Sequence, residues 1–228
     1  MKKLFLILMT TYLTLSINNN LSAQMELGGE LGLSISNGSV IGDYGLIPNL
    51  KPYAGIKAGL NASYKLSPIV SLESGLLYHN TGFRISENIN FDLYKIPIQT
   101  GITAIASFDY LETPLLLKLN TTGSKVQFTG AVGPYVGLAI DGDVRTRAKL
   151  LLDFSLGKYD LNLRSNYFNQ WEIGLMSKVG IKIPLNNSAL QFSAYYQHGL
   201  NDLTDEPILD VRTRRFAYGL SGTYVYSF

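Results

Sequence analysis

Phe216-Ala-Tyr-Gly-Leu-Ser-Gly-Thr-Tyr-Val-Tyr-Ser-Phe228 decides how the rest of this 228-residue sequence is read. A strand sends alternate side chains to opposite faces. Phe216, Tyr218, Leu220, Tyr224, Tyr226 and Phe228 therefore share one face, and Ala217, Gly219, Ser221, Thr223 and Ser227 share the other. The apolar face carries large aromatics; the opposite face is small and polar. A soluble β-protein buries its aromatic face in a core. A strand of a transmembrane barrel turns that face to lipid and keeps the polar face inside.

The same two-residue period recurs toward the N-terminus. Met25 to Ser36 sets Leu27, Leu31, Leu33 and Ile35 against Glu26, Glu30 and Ser34. Pro52 to Leu66 sets Ile56, Leu60 and Tyr64 against Lys57, Asn61 and Lys65, and after the Ser67-Pro68 turn Val70 to Gly82 returns as the second arm of a hairpin. Phe108 to Leu119, Val126 to Ile140, Tyr167 to Ile183 and Ala189 to Leu200 alternate likewise. Together with the terminal segment these make eight strands. The connections run long, short, long, short, long, short, long. The long ones are Asn37–Lys51, Phe83–Ser107, Asp141–Asn166 and Asn201–Thr213; part of the second is expected to extend the strands above the membrane, and within the third Ala148 to Leu163 reads as a hairpin rising above the barrel. Short periplasmic turns and longer external loops are the habit of outer-membrane barrels. The sequence predicts an all-β fold, an eight-stranded antiparallel transmembrane up-and-down β-barrel.

Composition agrees. Glycine (22) and tyrosine (15) are abundant, which suits curved sheets with aromatic girdles. Trp171, Tyr78, Tyr196 and Phe216 fall near the outer strand ends, and Tyr64, Tyr226 and Phe228 near the inner ends. With a net charge of +2 and no Lys/Arg cluster, nothing points to nucleic acid. The absence of cysteine removes disulfides, thiolate zinc sites, thiol catalysis and lipoprotein acylation. Residues 1–23 read as a signal peptide: Lys2 and Lys3, an apolar core from Leu4 to Leu15, and a small residue, Ala23, before Gln24. The alternative, a membrane anchor, needs about 20 apolar residues and this run is shorter. The barrel domain is then 24–228.

Three stretches carry a family resemblance. Tyr110-Leu-Glu-Thr-Pro-Leu-Leu-Leu-Lys118 resembles a signature of the PorT-like outer-membrane β-barrels of Bacteroidetes-type bacteria. Gly130-Ala-Val-Gly-Pro-Tyr-Val-Gly-Leu138 resembles that family's Gly-Gly-Pro-Tyr strand, and Tyr195-Tyr-Gln-His-Gly-Leu200 its Tyr-x-x-Gly-Leu strand, departing at Gln197 and His198. The terminal Phe228, with Tyr226 and Tyr224, resembles the C-terminal signature that the barrel-assembly machinery reads. The resemblance implies an eight-stranded barrel, membership without a defined activity for most relatives, and, for the eponym, a place in a protein-secretion pathway.

Inner faces carry Glu30, Lys57, Glu73, Glu112, Lys118, Glu172, Lys178 and Arg215. Desolvating lone charges in a narrow lumen is costly, so these are expected to pair into a plug that holds the strands in register. A gated ion path is the alternative. Eight strands leave an interior that side chains fill, which argues against a general diffusion pore. Small barrels can be lipid-modifying enzymes, so His79 and His198, with Ser86, Asp202 and Asp205 nearby in sequence, are the residues to check. No nucleophile elbow, metal pair or HExxH spacing accompanies them, and strand parity points His198 to lipid. Both histidines read as polar rim residues. Asp141-Gly-Asp143 is half a calcium loop without the following glutamate and reads as a turn, and the acids Asp202, Asp205, Glu206 and Asp210 read as solvated loop. No catalytic, cofactor or metal residue is assigned. The expected partners are outer-membrane lipid, the assembly machinery through Phe228, and an unidentified protein at the extracellular loops. A soluble lipocalin-like carrier is the remaining rival.

Overall fold

The computed structural model describes residues 25–41, 50–93, 96–123, 125–150, 152–161, 163, 169–202 and 212–228. The signal segment, most of the acidic loop with Asp205, Glu206 and Asp210, and the tip of the first long loop lie outside them. Among the described residues nine strands form: β1 (Met25–Ile41), β2 (Leu50–Lys65), β3 (Val70–Leu93), β4 (Ile96–Asn120), β5 (Gln127–Leu150), β6 (Leu152–Asp160), β7 (Trp171–Pro184), β8 (Ser188–Gly199) and β9 (Arg212–Ser227). Among the described residues no helix is long and apolar enough to cross a membrane.

Neighbours in sequence pair antiparallel except β6 with β7; β5 instead pairs with β7 as well as β6, and β1 pairs with β9. The pairing of β4 with β5 joins the two halves of the sheet, so every strand except β6 belongs to one closed wall. Nine strands less β6 gives the expected eight-stranded barrel. Closure removes the edges that an open sheet would expose.

Exposure follows the predicted parity. Along β7, Trp171, Ile173, Leu175 and Val179 are exposed while Glu172, Gly174, Met176 and Lys178 are buried. On the outer wall Leu31, Leu33 and Leu60 are each 71% exposed and Leu220 is 68% exposed. In water this continuous leucine-rich surface would far exceed the few hundred Å² that a soluble monomer tolerates. Facing acyl chains it costs nothing. Trp171, Tyr196 and Tyr218 are exposed toward one end of the wall and Tyr64, Tyr226 and Phe228 toward the other. The Tyr226 and Phe228 rings meet edge to face at 5.0 Å between centroids.

The expected extension of the strands into Phe83–Ser107 is present and goes further than part of it: β3 and β4 pair without interruption from Leu77 with Glu112 to Leu93 with Ile96. A spanning strand needs about 9–11 residues, whereas β3, β4 and β5 have 24, 25 and 24. Their outer halves, with β6, form a sheet that stands beyond the membrane. The hairpin expected over Ala148 to Leu163 is the pairing of β5 with β6, and it begins earlier, at Asp143 with Asp160. The first loop also shrinks, because β1 continues to Ile41 against Arg212 and β2 begins at Leu50 against Ile85. Backbone groups that pair as a ribbon satisfy their hydrogen bonds internally, and a two-residue alternation with interspersed polar residues is the sequence form of such a ribbon.

Asp141-Gly-Asp143 is likewise strand, not turn. Asp109 faces Asp141 while Tyr110 faces Ala139, so Ile140 is an extra residue. This β-bulge shifts the parity of β5 at the top of the barrel wall. Asp143 accepts a hydrogen bond from Ser107 at 2.8 Å on the neighbouring strand.

Candidate functional site

All eight expected interior charges are buried, and all are paired. They fall into two groups separated along the barrel. On β3 the order is Glu73, Leu77, His79; on β4 it is Lys118, Leu116, Glu112; on β7 it is Lys178, Met176, Glu172. On each strand an apolar residue divides a lower charge from an upper charged or polar group.

In the lower group Lys178 donates to Glu30 at 2.8 Å and to Glu73 at 3.1 Å. Lys118 donates to Glu73 at 2.9 Å and to Gln191 at 2.8 Å. Asn61 adds a bond to Glu30 at 3.1 Å. Two carboxylates meet two ammonium groups, so the group is neutral.

In the upper group Arg215 bridges two carboxylates. Its Nη2 lies 2.7 Å from Glu112 and 2.6 Å from Glu172, and its Nε lies 2.9 Å from Glu172. Lys57 sits 3.4 Å from Glu112 and donates to Gln197 at 3.2 Å, and Gln197 donates to Glu112 at 2.8 Å. Tyr135 donates its hydroxyl to Glu172. It reaches because Gly174 has no Cβ; one there would collide with the Tyr135 ring. Tyr110 and Tyr195 offer ring faces to Arg215 and Lys57 at 4.3 and 4.5 Å, a favourable placement for a desolvated cation.

Between the groups Leu116, Ala131, Tyr135, Met176 and Tyr195 pack into one apolar cluster. Above the upper group Phe108, Tyr110, Ala139 and Leu163 form a second cluster, with Phe83 and Ala106 against it. The lumen is thus a stack: charge, apolar seal, charge, apolar cap. This filled interior matches the expected plug and leaves no wide aqueous channel along these layers.

The histidines are not brought together. His79 is not a rim residue: it is fully buried in the lumen, with Nδ1 2.9 Å from Glu112. A carboxylate only accepts, so Nδ1 carries the hydrogen. The rim reading failed because β3 runs far past His79, which places it well inside the wall. His198 lies on the outer face, stacked on Tyr196 at 6.4 Å, as its parity required. Ser86 bonds Thr103 at 3.3 Å, out on the ribbon, and Asp202 pairs with Arg214 at 3.0 Å. Among the described residues no group of three or more His, Cys, Asp or Glu side chains is placed to hold a metal.

Sequence reasoning missed the neutral partners Gln197, Tyr110, Tyr135 and Tyr195, although parity already put them on inner faces. It also left out a third charged set. At the end where the chain termini and the short turns lie, Glu26 receives Lys182 at 2.8 and 2.7 Å and Lys65 at 2.9 Å.

A leucine-clad outer wall, aromatic belts at both ends and a buried, ion-paired interior define an outer-membrane β-barrel protein, seated in lipid. The chain belongs to the outer membrane protein beta-barrel domain family, whose model matches residues 18–205. No curated protein matches it. Similar solved structures include the attachment invasion locus protein Ail of Yersinia pestis, at 14% identity over 89% of this chain and 99% of that one, with a TM-score of 0.40. The outer membrane protein OprG of Pseudomonas aeruginosa is similar at 14% identity over 90% and 98%, with a TM-score of 0.48. Neisserial surface protein A is similar at 17% identity over 90% and 97%, with a TM-score of 0.39.

Proposed function

We propose that this protein is a non-enzymatic barrel that holds a rigid β-platform outside the cell for a binding partner. The observation that carries the reading is the sheet formed by the outer halves of β3, β4, β5 and β6. It rises directly from the barrel wall, so its orientation is fixed by the same hydrogen-bond ladder that closes the barrel. A rigid scaffold with recognition at its outer end is a common division of labour. One edge of the sheet is β3 beyond Ile85, where its pairing with β2 ends; the other is the outer side of β6. The plugged lumen supports a binding rather than a transport role, and the pinned His79 and lipid-facing His198 support one without lipid-modifying chemistry.

The motif at Tyr110–Lys118 supports placing the chain with the PorT-like barrels. Export by a signal peptide cut near Ala23 and insertion by the assembly machinery through the strand ending at Phe228 belong to the same reading. The test is to replace 87–102 with a two-residue turn joining the paired Ser86 and Thr103. The shortened barrel should keep its gel shift on boiling but lose adhesion of whole cells to surfaces or partner cells. Unchanged adhesion would sink the platform role.

A further inference from the structure

We propose that the periplasmic mouth of the barrel is a pocket for a carboxylate-ended peptide group. Beneath the lower charged group the lumen opens into a cavity of about 290 Å³ at the end of the short turns. Every wall strand contributes to its lining, among them Glu26 of β1, Lys65 of β2, Ser71 of β3, Asn120 of β4, Gln127 of β5 and Lys182 of β7. It is a blind pocket, because Leu77, Leu116 and Met176 seal the lumen farther in.

Its charge is unbalanced. Among the described residues Glu26 is the one carboxylate in the lining, and both Lys65 and Lys182 are bonded to it. Two ammonium groups on one carboxylate leave a surplus of one positive charge. The next layer offers no relief, since Lys118 and Lys178 are already matched by Glu73 and Glu30. One added carboxylate neutralises the pocket; a phosphate dianion overshoots. Lys65 is 38% exposed, so it can turn to a ligand without breaking the buried Lys182–Glu26 pair.

The other lining groups narrow the choice. Ser71, Asn120 and Gln127 bring hydroxyl and amide groups that both donate and accept. That mixture suits a peptide unit beside the carboxylate better than an apolar acid. The volume is at the lower limit of ligand pockets, which start near ~300 Å³, so it admits one or two residues of an extended chain end.

The test uses the full-length protein in lipid nanodiscs, titrated with N-acetyl-alanine, N-acetyl-alaninamide, acetate and inorganic phosphate by calorimetry. N-acetyl-alanine is expected to bind saturably and more tightly than the other three. Lys65→Gln should weaken it about fivefold and Glu26→Gln tighten it by a similar factor, since one unit charge at contact in water is worth about that much. Each variant is first checked for the gel shift of the folded barrel. Should Glu26→Gln fail that check, Lys65→Gln decides alone, its side chain being already part-exposed. Equal binding of the amide or of phosphate overturns the carboxylate assignment, and equal binding of acetate overturns the peptide assignment. Absence of saturable binding, or an unmoved Lys65→Gln affinity, overturns the site.

Discussion

Glu112 and Arg215 stand 103 residues apart in the chain and meet at 2.7 Å in the middle of the barrel, both without solvent contact worth naming. Glu112 also holds Lys57, His79 and Gln197. One carboxylate therefore ties β4 to β2, β3, β8 and β9, strands that are not all neighbours in the wall. The pair acts across the lumen, where backbone hydrogen bonds cannot.

Removing that charge should be expensive. Glu112→Gln leaves Lys57 without an ion partner and Arg215 with Glu172 alone. Breaking a buried pair from one side costs about 3–5 kcal/mol. The temperature at which the folded band converts to the unfolded one on a gel should fall clearly. Arg145→Ala, which breaks an ion pair on the exposed outer ribbon, should leave that temperature where it was. Equal behaviour of the two variants would show that the lumen cluster does not hold the strands together.

The apolar seal is a separate contributor. Leu116 is fully buried and packs with Met176, Tyr135 and Tyr195. Leu116→Ala should cost about 2–5 kcal/mol through lost burial and the void it leaves. In planar bilayers the unaltered protein should show no stable conductance steps of porin size. Steady steps of that size from purified protein would mean that the layered lumen opens.

Much of this was legible in the sequence. Alternation gives both faces of the eight spanning segments, and parity alone puts eight charges inside. Two things were not legible. The length of the outer ribbons is hidden because glycine, proline and asparagine punctuate Asn37–Lys51 and Phe83–Ser107, and such residues signal turns unless a partner strand is known. The ladder from Leu77 with Glu112 to Leu93 with Ile96 supplies that partner. Nor could the sequence say who pairs with whom. Parity places Lys57 and Glu112 inside, but only barrel closure brings β2 opposite β4 and β9. His79 was misplaced for the same reason: the strand end that made it a rim residue was drawn too early.

Acid should loosen the outer sheet near its root. Asp143 lies beyond the spanning part of β5. Partial burial opposes its ionisation, but hydrogen bonds from Ser107 and Arg145 and the charges of Arg145 and Lys158 outweigh that and hold its carboxyl below the ordinary 3.8. A lowered value means the folded form favours the charged state. Its contribution is whole above the ordinary value and is lost as pH falls through the lowered one. Protease cutting in the β5–β6 hairpin should thus be constant from neutral pH to about 4 and rise below it with an acid-active protease, and Asp143→Asn should already show the raised rate at pH 7.

The outer wall gives the sharpest separation between a membrane barrel and a soluble carrier of the same shape. Leu220 sits near the middle of β9, 68% exposed, while Tyr226 sits near its periplasmic end, 43% exposed. In lipid the penalty for a cation depends on depth, about 2–4 kcal/mol at the midplane and about 0–1 near the interface. In water an exposed position tolerates either change within about 0.5 kcal/mol. Leu220→Arg should therefore destabilise the refolded protein in bilayers strongly and Tyr226→Arg hardly at all, read from urea titrations in lipid vesicles. Both substitutions leave the lumen untouched, so neither result can come from the plug. Two small and equal effects would place the leucine wall in water and undo the membrane assignment of the barrel.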